Sequence, residues 1–468
     1  LAKILAGFPR PIDLSENYAP NGFLIARLLN RSPGADGKIQ YRASRLVVTH
    51  PNCFRRRISH NGDSFMRLLF VHDRFGAMAG AEINLQLTAT ELKSRGHAVA
   101  LLHGPSTGKG ESAWNDLFPE RFALAEKNNF AVTCDALEAF QPDAIYIHKM
   151  SDGGVLNALV DSGIPIARMV HDHDLYCMRS YKYFPLTRTI CTRGAGLHCI
   201  FLCGATVARN RGGRLPLKWV SYLARKREIA VNRNFSRMVV ATDYMRQELL
   251  RNGFDSRRIE IHAPVPRTEE TAATASFDKR NLIIYSGQVI RGKGVDVLLE
   301  SLALVREPFE CLIFGAGNHR GYCEELSRKL GLADRVRFMG YVPPAELQTF
   351  YADASVAVVS SVWPEPFGAV GLEAMRHGLP VVAFAAGGIK EWLLDGQNGF
   401  LVPWMDRKQF AARVDRLLTD KTLGRELGAR GRQLLRDKFH FDQYISGLEE
   451  MFARISNQPA KCETALAS

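Results

Sequence analysis

Residues 361–388 read SVWPEPFGAVGLEAMRHGLPVVAFAAGG. Pro364 and Pro366 hold Glu365 in a turn. Gly368 then releases the chain into a short helix over 369–377, which Gly378 stops. The apolar run 381–383 follows as a strand buried on both faces, and Gly387-Gly388 turns the chain again. A strand–turn–helix–strand unit of this kind belongs to a parallel α/β sheet. It also aims the free N–H groups of a helix start at whatever Glu365 touches, which suits a diphosphate. Glu365 at the turn and Glu373 on the helix add two carboxylates able to grip hydroxyls. A site for a nucleotide and a sugar together is the simplest reading.

Working outward, the same alternation repeats on both sides. Strands are expected at 68–72, 99–102, 144–147, 166–170 and 238–241, with a helix over 81–95. A second series has strands at 282–286, 311–314, 336–338 and 356–359, with helices over 295–305, 324–330 and 345–352. Each series reads as a doubly wound, Rossmann-like α/β domain, and two of them imply a central cleft. The expected boundaries are a first domain over 66–263, a linker over 264–280, a second domain over 281–440, and a closing amphipathic helix within 441–468 that packs back on the first domain. Residues 1–65 hold no Met and little periodic pattern. They read either as an N-terminal arm or as an upstream, non-native extension without order.

At 468 residues with 46% hydrophobic and 23% charged content, the chain has the composition of a water-soluble globular protein. No apolar run reaches the roughly 18–20 residues of a membrane span, and no signal-peptide pattern opens it. Nine cysteines in a chain this long do not suggest a secreted disulfide framework, so a cytoplasmic setting is expected. The net charge of +13 lies entirely in residues 1–263, because residues 264–468 hold 25 basic and 25 acidic side chains. Residues 175–227 contain 11 basic and no acidic residues, interleaved with aromatics. Such an insertion attracts an anionic surface, here the inner face of a membrane or a lipid-linked acceptor rather than nucleic acid.

Lys293, in Gly292-Lys293-Gly294 at the start of a helix, offers a mobile cation beside a close-approach turn. Arg291 is a second cation nearby. His171 ends a strand that should reach the cleft, where an imidazole can bond a sugar hydroxyl or orient an acceptor. Asp172, His173 and Asp174 follow it, but adjacent residues rarely converge on one metal ion. Cys177, Cys191, Cys199 and Cys203 cluster in the basic insertion. Only Cys199 and Cys203 have ligand-like spacing, so unligated buried thiols are expected over a structural metal site.

Six stretches, YSGQVIRGKGVDVLLESL, FGAGN, DRVRFMGYVPPAELQTFYADA, WPEPFGAVGLEAMRHGLPVVA, GGIKEWL and DGQNGFLVP, stand in one order between residues 281 and 403. In that order they resemble the donor-binding half of the large group-1 family of retaining nucleotide-sugar glycosyltransferases. The first half resembles the family's acceptor half more loosely. The resemblance implies the GT-B fold and transfer of a sugar, with retention, from a nucleoside-diphosphate sugar to a hydroxyl of a glycan or lipid-linked acceptor, in polysaccharide or glycolipid synthesis. It implies no cofactor and no catalytic metal. Lys293 should neutralise the diphosphate, Glu373 should hold the ribose and Glu365 the transferred sugar. The backbone of Phe367, Gly368, Ala369 and Val370 should meet sugar and phosphate, and that of Tyr341 and Val342 the base. His171 matches the family histidine near the reacting sugar. Gly80 stands where the family has two glycines, the other being Ala79 here. Gln288 replaces an arginine, which Arg291 is expected to compensate. Two other readings stay open, a sugar-nucleotide epimerase and a non-catalytic sugar-nucleotide binder. A nicotinamide dehydrogenase would want Gly-x-Gly-x-x-Gly after the first strand, and VHDRFGAMAGAE over 71–82 has no such fingerprint.

Overall fold

The computed structural model describes residues 25–33 and 39–47 by their backbone, and residues 65–76, 80–184, 186–209, 217–265, 275, 277 and 280–457. The chain divides into a unit over 1–62 and a larger one over 63–468. In the first, β1 (Ile25–Pro33) and β2 (Ile39–Val47) pair antiparallel with Ile25 opposite Val47. This pair lies in the stretch 1–65, whose little periodic pattern it shares: its strands do not alternate polar and apolar residues. The rest of that stretch lies outside the described residues.

The larger unit holds two parallel sheets. The first contains β3 (Arg67–His72), β4 (Ala98–His103), β5 (Arg121–Ala123), β6 (Ala144–Lys149), β7 (Ile166–Met169), and, past a short antiparallel pair β8 (Val207–Arg209) and β9 (Leu217–Trp219), β10 (Arg237–Val240) and β11 (Ile259–Ile261). Its order is β11-β10-β7-β6-β3-β4-β5. The second contains β12 (Leu282–Ser286), β13 (Glu310–Phe314), β14 (Val336–Gly340), β15 (Val356–Val359), β16 (Val381–Phe384) and β17 (Gly399–Val402), in the order β14-β13-β12-β15-β16-β17. Leu68–Val71, Ala144–Ile147 and Val381–Phe384 are fully buried, as expected of strands covered by helices on both faces. In each sheet the strand order reverses once, between β3 and β6 and between β12 and β15. Ligands of such sheets lie beyond the carboxyl ends of the strands at that reversal.

Three further features position the site. Helix Phe441–Ser456 follows the second sheet in sequence but packs on the first: the Tyr444 hydroxyl meets Asn84 and Thr88, Glu449 bonds Arg95 and His97, and the Phe452 ring lies edge-on to Tyr146. Its neighbour Lys421–Lys438 stays with the second sheet, where Gly428 packs against the Gly378 carbonyl. The stretch read as a linker over 264–280 is anchored where it is described: the Ala275 N–H donates to the His377 carbonyl, and Phe277 is buried against Gly424. Among the described residues no helix is long and apolar enough to cross a membrane.

Candidate functional site

The reversal point of the second sheet lies between the loop after β12 and the loop after β15. Lys293 comes from the first and Glu365 from the second. The Lys293 Nζ donates to Glu365 Oε1 at 2.6 Å and lies 5.2 Å from the centre of the Trp363 ring. Ser361 Oγ donates to the same carboxylate oxygen. Burial pushes Glu365 up, but the Lys293 charge and the hydrogen bonds from Lys293 and Ser361 outweigh it and hold the carboxyl below its ordinary value. The result is a buried, ionised acid whose lysine keeps two further N–H groups for an anion.

Two glycines let the loops meet. Gly294 has φ 66°, and a Cβ there would stand 2.2 Å from the Ser360 carbonyl. Gly387 has φ 64°, and its Cβ would stand 2.3 Å from the Glu365 carbonyl. Any other residue would be strained at both places and would push the loops apart. Helix Ala369–Arg376 starts at Gly368 (φ 82°) without a side-chain cap, and so does helix Val295–Leu302 at Gly294. Both present helix N-termini near the Lys293–Glu365 pair. Phe367 is buried, and its carbonyl accepts from Trp392 Nε1 at 2.6 Å, which fixes the turn before the helix. Glu373 lies one turn into that helix. Burial raises its carboxyl above the ordinary value, and Arg376 offsets this in part.

Gln288 and Arg291 line a pocket of about 370 Å³ together with Arg179, Tyr181, Tyr183 and Asn318. Arg291 therefore does stand beside Gln288, and Arg179, from the basic insertion, adds a second guanidinium that the sequence pattern does not single out. The Tyr341 side chain is exposed after β14, and Val342 packs on the core. Gly80 is the first residue of helix Gly80–Ser94 rather than part of a loop, and a Cβ there would meet open space. Ala79 lies outside the described residues.

Across the cleft, four histidines stand at or just past the ends of neighbouring strands: His171 after β7, His148 on β6, His72 on β3 and His103 on β4. His148 Nδ1 and His171 Nε2 share a hydrogen bond of 2.9 Å, and His72 Nε2 lies 3.9 Å from Glu82 Oε1. Burial, followed by the neighbouring His72, Lys149 and Arg168, holds His171 down to about 3. Burial also lowers His72, His148 and His103. The row is thus neutral at ordinary pH, and its rings act as hydrogen-bond partners rather than as cations. Asp172 and Asp174 turn to Lys149 at 3.4 and 2.9 Å, and among the described residues no group of three metal-ligating side chains forms.

His173 has a role that sequence reasoning assigns only as an unfavoured metal ligand. It is fully buried and bridges the cleft: Nδ1 meets the Tyr176 hydroxyl and Nε2 the Pro364 carbonyl, both at 2.8 Å. Thr242 Oγ1 donates to the Pro366 carbonyl at 2.7 Å, so both prolines flanking Glu365 are held from the opposite lobe. Glu391 accepts from the N–H groups of Asp243 and Tyr244, capping helix Asp243–Arg251 from the other lobe. Arg188 forms a bidentate pair with Asp296 in the first turn of helix Val295–Leu302. The four cysteines are half-buried rather than buried thiols. That correction follows from the irregular backbone around them, which leaves them under loops instead of in a sheet-backed core.

Two doubly wound domains in one chain, each with a single reversal of strand order, match the GT-B architecture. Residues 266–434 match the family model Glycosyl transferases group 1. Curated relatives include an uncharacterized glycosyltransferase of Methanocaldococcus jannaschii, 37% identical over 145 residues (31% of this chain, 37% of the relative). Another is a D-inositol 3-phosphate glycosyltransferase of Corynebacterium urealyticum, 32% identical over 192 residues (36% of this chain, 45% of the relative). The match to each therefore spans less than half of the relative's length. Among solved structures, Anabaena HepE in complex with UDP superposes with a TM-score of 0.63 at 18% identity, covering 83% of this chain and all of that one. A sucrose-phosphate synthase from Thermosynechococcus elongatus superposes at 0.61 and 17%, covering 83% of this chain and 99% of that one. At these identities the structural likeness establishes the fold.

Proposed function

We propose that the protein transfers a sugar, with retention, from a nucleoside-diphosphate sugar to an acceptor hydroxyl. The observation that carries this reading is the Lys293–Glu365 pair, set at a sheet reversal point between two helix starts that lack side-chain caps. Lys293 and the two helix N-termini meet the charge that grows on the departing diphosphate. Glu365 holds hydroxyls of the transferred sugar and Glu373 those of the ribose. Arg291 and Arg179 border the same approach. The acceptor oxygen bonds to the anomeric carbon on the face from which the diphosphate leaves, and its proton passes to a diphosphate oxygen. The neutral His171–His148 pair orients the acceptor or a sugar hydroxyl without taking a charge. No metal enters this scheme, since side chains and helix ends supply the positive potential.

The acceptor is proposed to be a glycan or a lipid-linked sugar at the inner face of a membrane, in polysaccharide or glycolipid synthesis. The acid-free stretch 175–227 supports this reading. Its Leu186, Phe201 and Trp219 are 92, 78 and 76% exposed, next to arginines and lysines that would meet anionic headgroups.

Release of nucleoside diphosphate from a panel of UDP-, GDP- and ADP-sugars, with and without acceptor extracts, tests the reaction. Acceptor-dependent release is expected for one donor class. Epimerised donor in the absence of acceptor, or binding without turnover, would replace the reading. In the same assay Glu373→Ala should weaken donor binding by about 1–3 kcal/mol, the loss of hydrogen bonds to a charged group. Wild-type affinity by calorimetry removes Glu373 from the ribose.

A further inference from the structure

Between β7 and β8 the chain runs through residues 170–206 with, among the described residues, a single helix of one turn, His198–Phe201. Ser180, Lys182 and Arg188 all hold left-handed backbone conformations there, at φ 63°, 54° and 60°. A long irregular loop with three such residues persists only where its surroundings over-determine it. Yet it carries His173 and Arg188 to the other lobe and Tyr183 and Arg179 to the donor-side pocket.

At its centre Cys177, Cys191, Cys199 and Cys203 all line one cavity of about 30 Å³. The volume admits one water-sized particle and is too small for an iron–sulfur cluster. Arg179, Lys182 and Arg193 line the same cavity, so a cluster of thiolates would be met by positive charge. Arg179 also donates twice to the Cys203 carbonyl, at 3.1 and 2.9 Å, tying the first and last cysteine segments together. Among the described residues no three such groups stand together at metal-binding distances, so an ion in this cavity would have to draw the thiols that line it inward.

We infer that these four cysteines bind a single zinc ion, a structural clip that shapes the loop spanning the cleft. Four thiolates in a closed tetrahedral set are a structural rather than catalytic zinc site, and one ion would fix a loop that has almost no secondary structure of its own. The ion site shares Arg179 and Tyr183 with the neighbouring pocket but holds no group of the sugar-transfer step, and it stands whether or not that reading holds.

The test uses the full chain purified under reducing, chelator-free conditions. Elemental analysis should find one zinc per chain. Replacement by cobalt should give thiolate-to-cobalt charge-transfer absorption and the intense visible bands of a tetrahedral site. Cys199→Ser with Cys203→Ser should lower zinc content at least tenfold, while Cys134→Ser and Cys323→Ser retain it. Should the double variant fold poorly, the native protein still decides the matter: a thiol reagent should modify the four cysteines rapidly only after a strong chelator is added. Zinc-free protein with no cobalt spectrum, zinc retained in the double variant, thiol reactivity indifferent to chelator, or a disulfide among the four in freshly isolated protein would each overturn the site.

Discussion

Lys293 and Glu365 depend on each other. Removing the lysine leaves a buried carboxylate without its countercharge, which costs about 3 kcal/mol in sites of this kind. Lys293→Ala should therefore lower the melting temperature and weaken donor binding together. Glu365→Gln keeps a hydrogen-bond acceptor for Lys293 and should lose turnover with a much smaller drop in stability; equal destabilisation by both changes would show the pair to be scaffolding. Protonation gives a second handle. His171 and His173 are held down, chiefly by burial, to about 3 and about 4. The unfolded chain takes up these protons near pH 6.5, so stability should fall as pH drops from about 6.5 toward 4, by up to about one proton per histidine. Urea melts at pH 7 and pH 5 measure this, and His171→Asn should flatten the slope; an unchanged slope would mean that the imidazole titrates normally. The acids and the lysine were legible in the sequence because each sits in a local turn whose glycines and prolines announce it. The histidine row was legible only in part. Its members come from four distant segments, and sheet order alone makes them neighbours. The available signal was that four strands in the first half all end at a histidine.

At the scale of elements, strands and helices follow the sequence closely, because apolar runs bounded by glycine leave few alternatives. Most boundaries move by a residue or two, but the helix expected over 295–305 ends at Leu302 and the one expected over 324–330 begins at Arg320. What hydrophobic pattern could not reveal is how elements are capped from a distance. Glu391 accepts from two N–H groups at the start of helix Asp243–Arg251, and it belongs to the opposite lobe. Glu391→Ala should cost under about 1 kcal/mol, as for other lost caps. It should reduce kcat/KM more than stability, because the contact joins lobes rather than building either one. Small-angle scattering should show a larger radius of gyration for the variant, and an unchanged radius would confine Glu391 to helix stability.

For the whole molecule, charge and apolar exposure coincide. The excess of basic residues lies in the first half, and the exposed Phe201, Leu202 and Trp219 lie within its acid-free stretch. Binding to vesicles with anionic headgroups should be measurable by flotation and should weaken with salt. Phe201→Ser with Trp219→Ser should leave a salt-sensitive remnant. Neutralising Arg179 is the wrong test, since it also lines the pocket beside Gln288 and Arg291; Arg225, Lys226 and Arg227 on helix Tyr222–Asn232 are better placed. Indifference to both lipid charge and salt would retire the membrane partner. The charge asymmetry was plain from composition, whereas exposure of the aromatics was not, since interleaved aromatics in a sequence serve equally well as core.

Among the described elements the polypeptide changes lobe twice, once between β11 and β12 and again at Phe439–His440, where it leaves helix Lys421–Lys438 for helix Phe441–Ser456. A body joined at one point can swivel in any direction, whereas a door hung on two pins can only swing. The second pin also touches the mechanism: the Phe439 ring packs 5.8 Å from that of Phe367, one residue before the turn that opens the site helix. Any swing of one lobe against the other thus pulls directly on the turn that opens the helix proposed to receive the diphosphate.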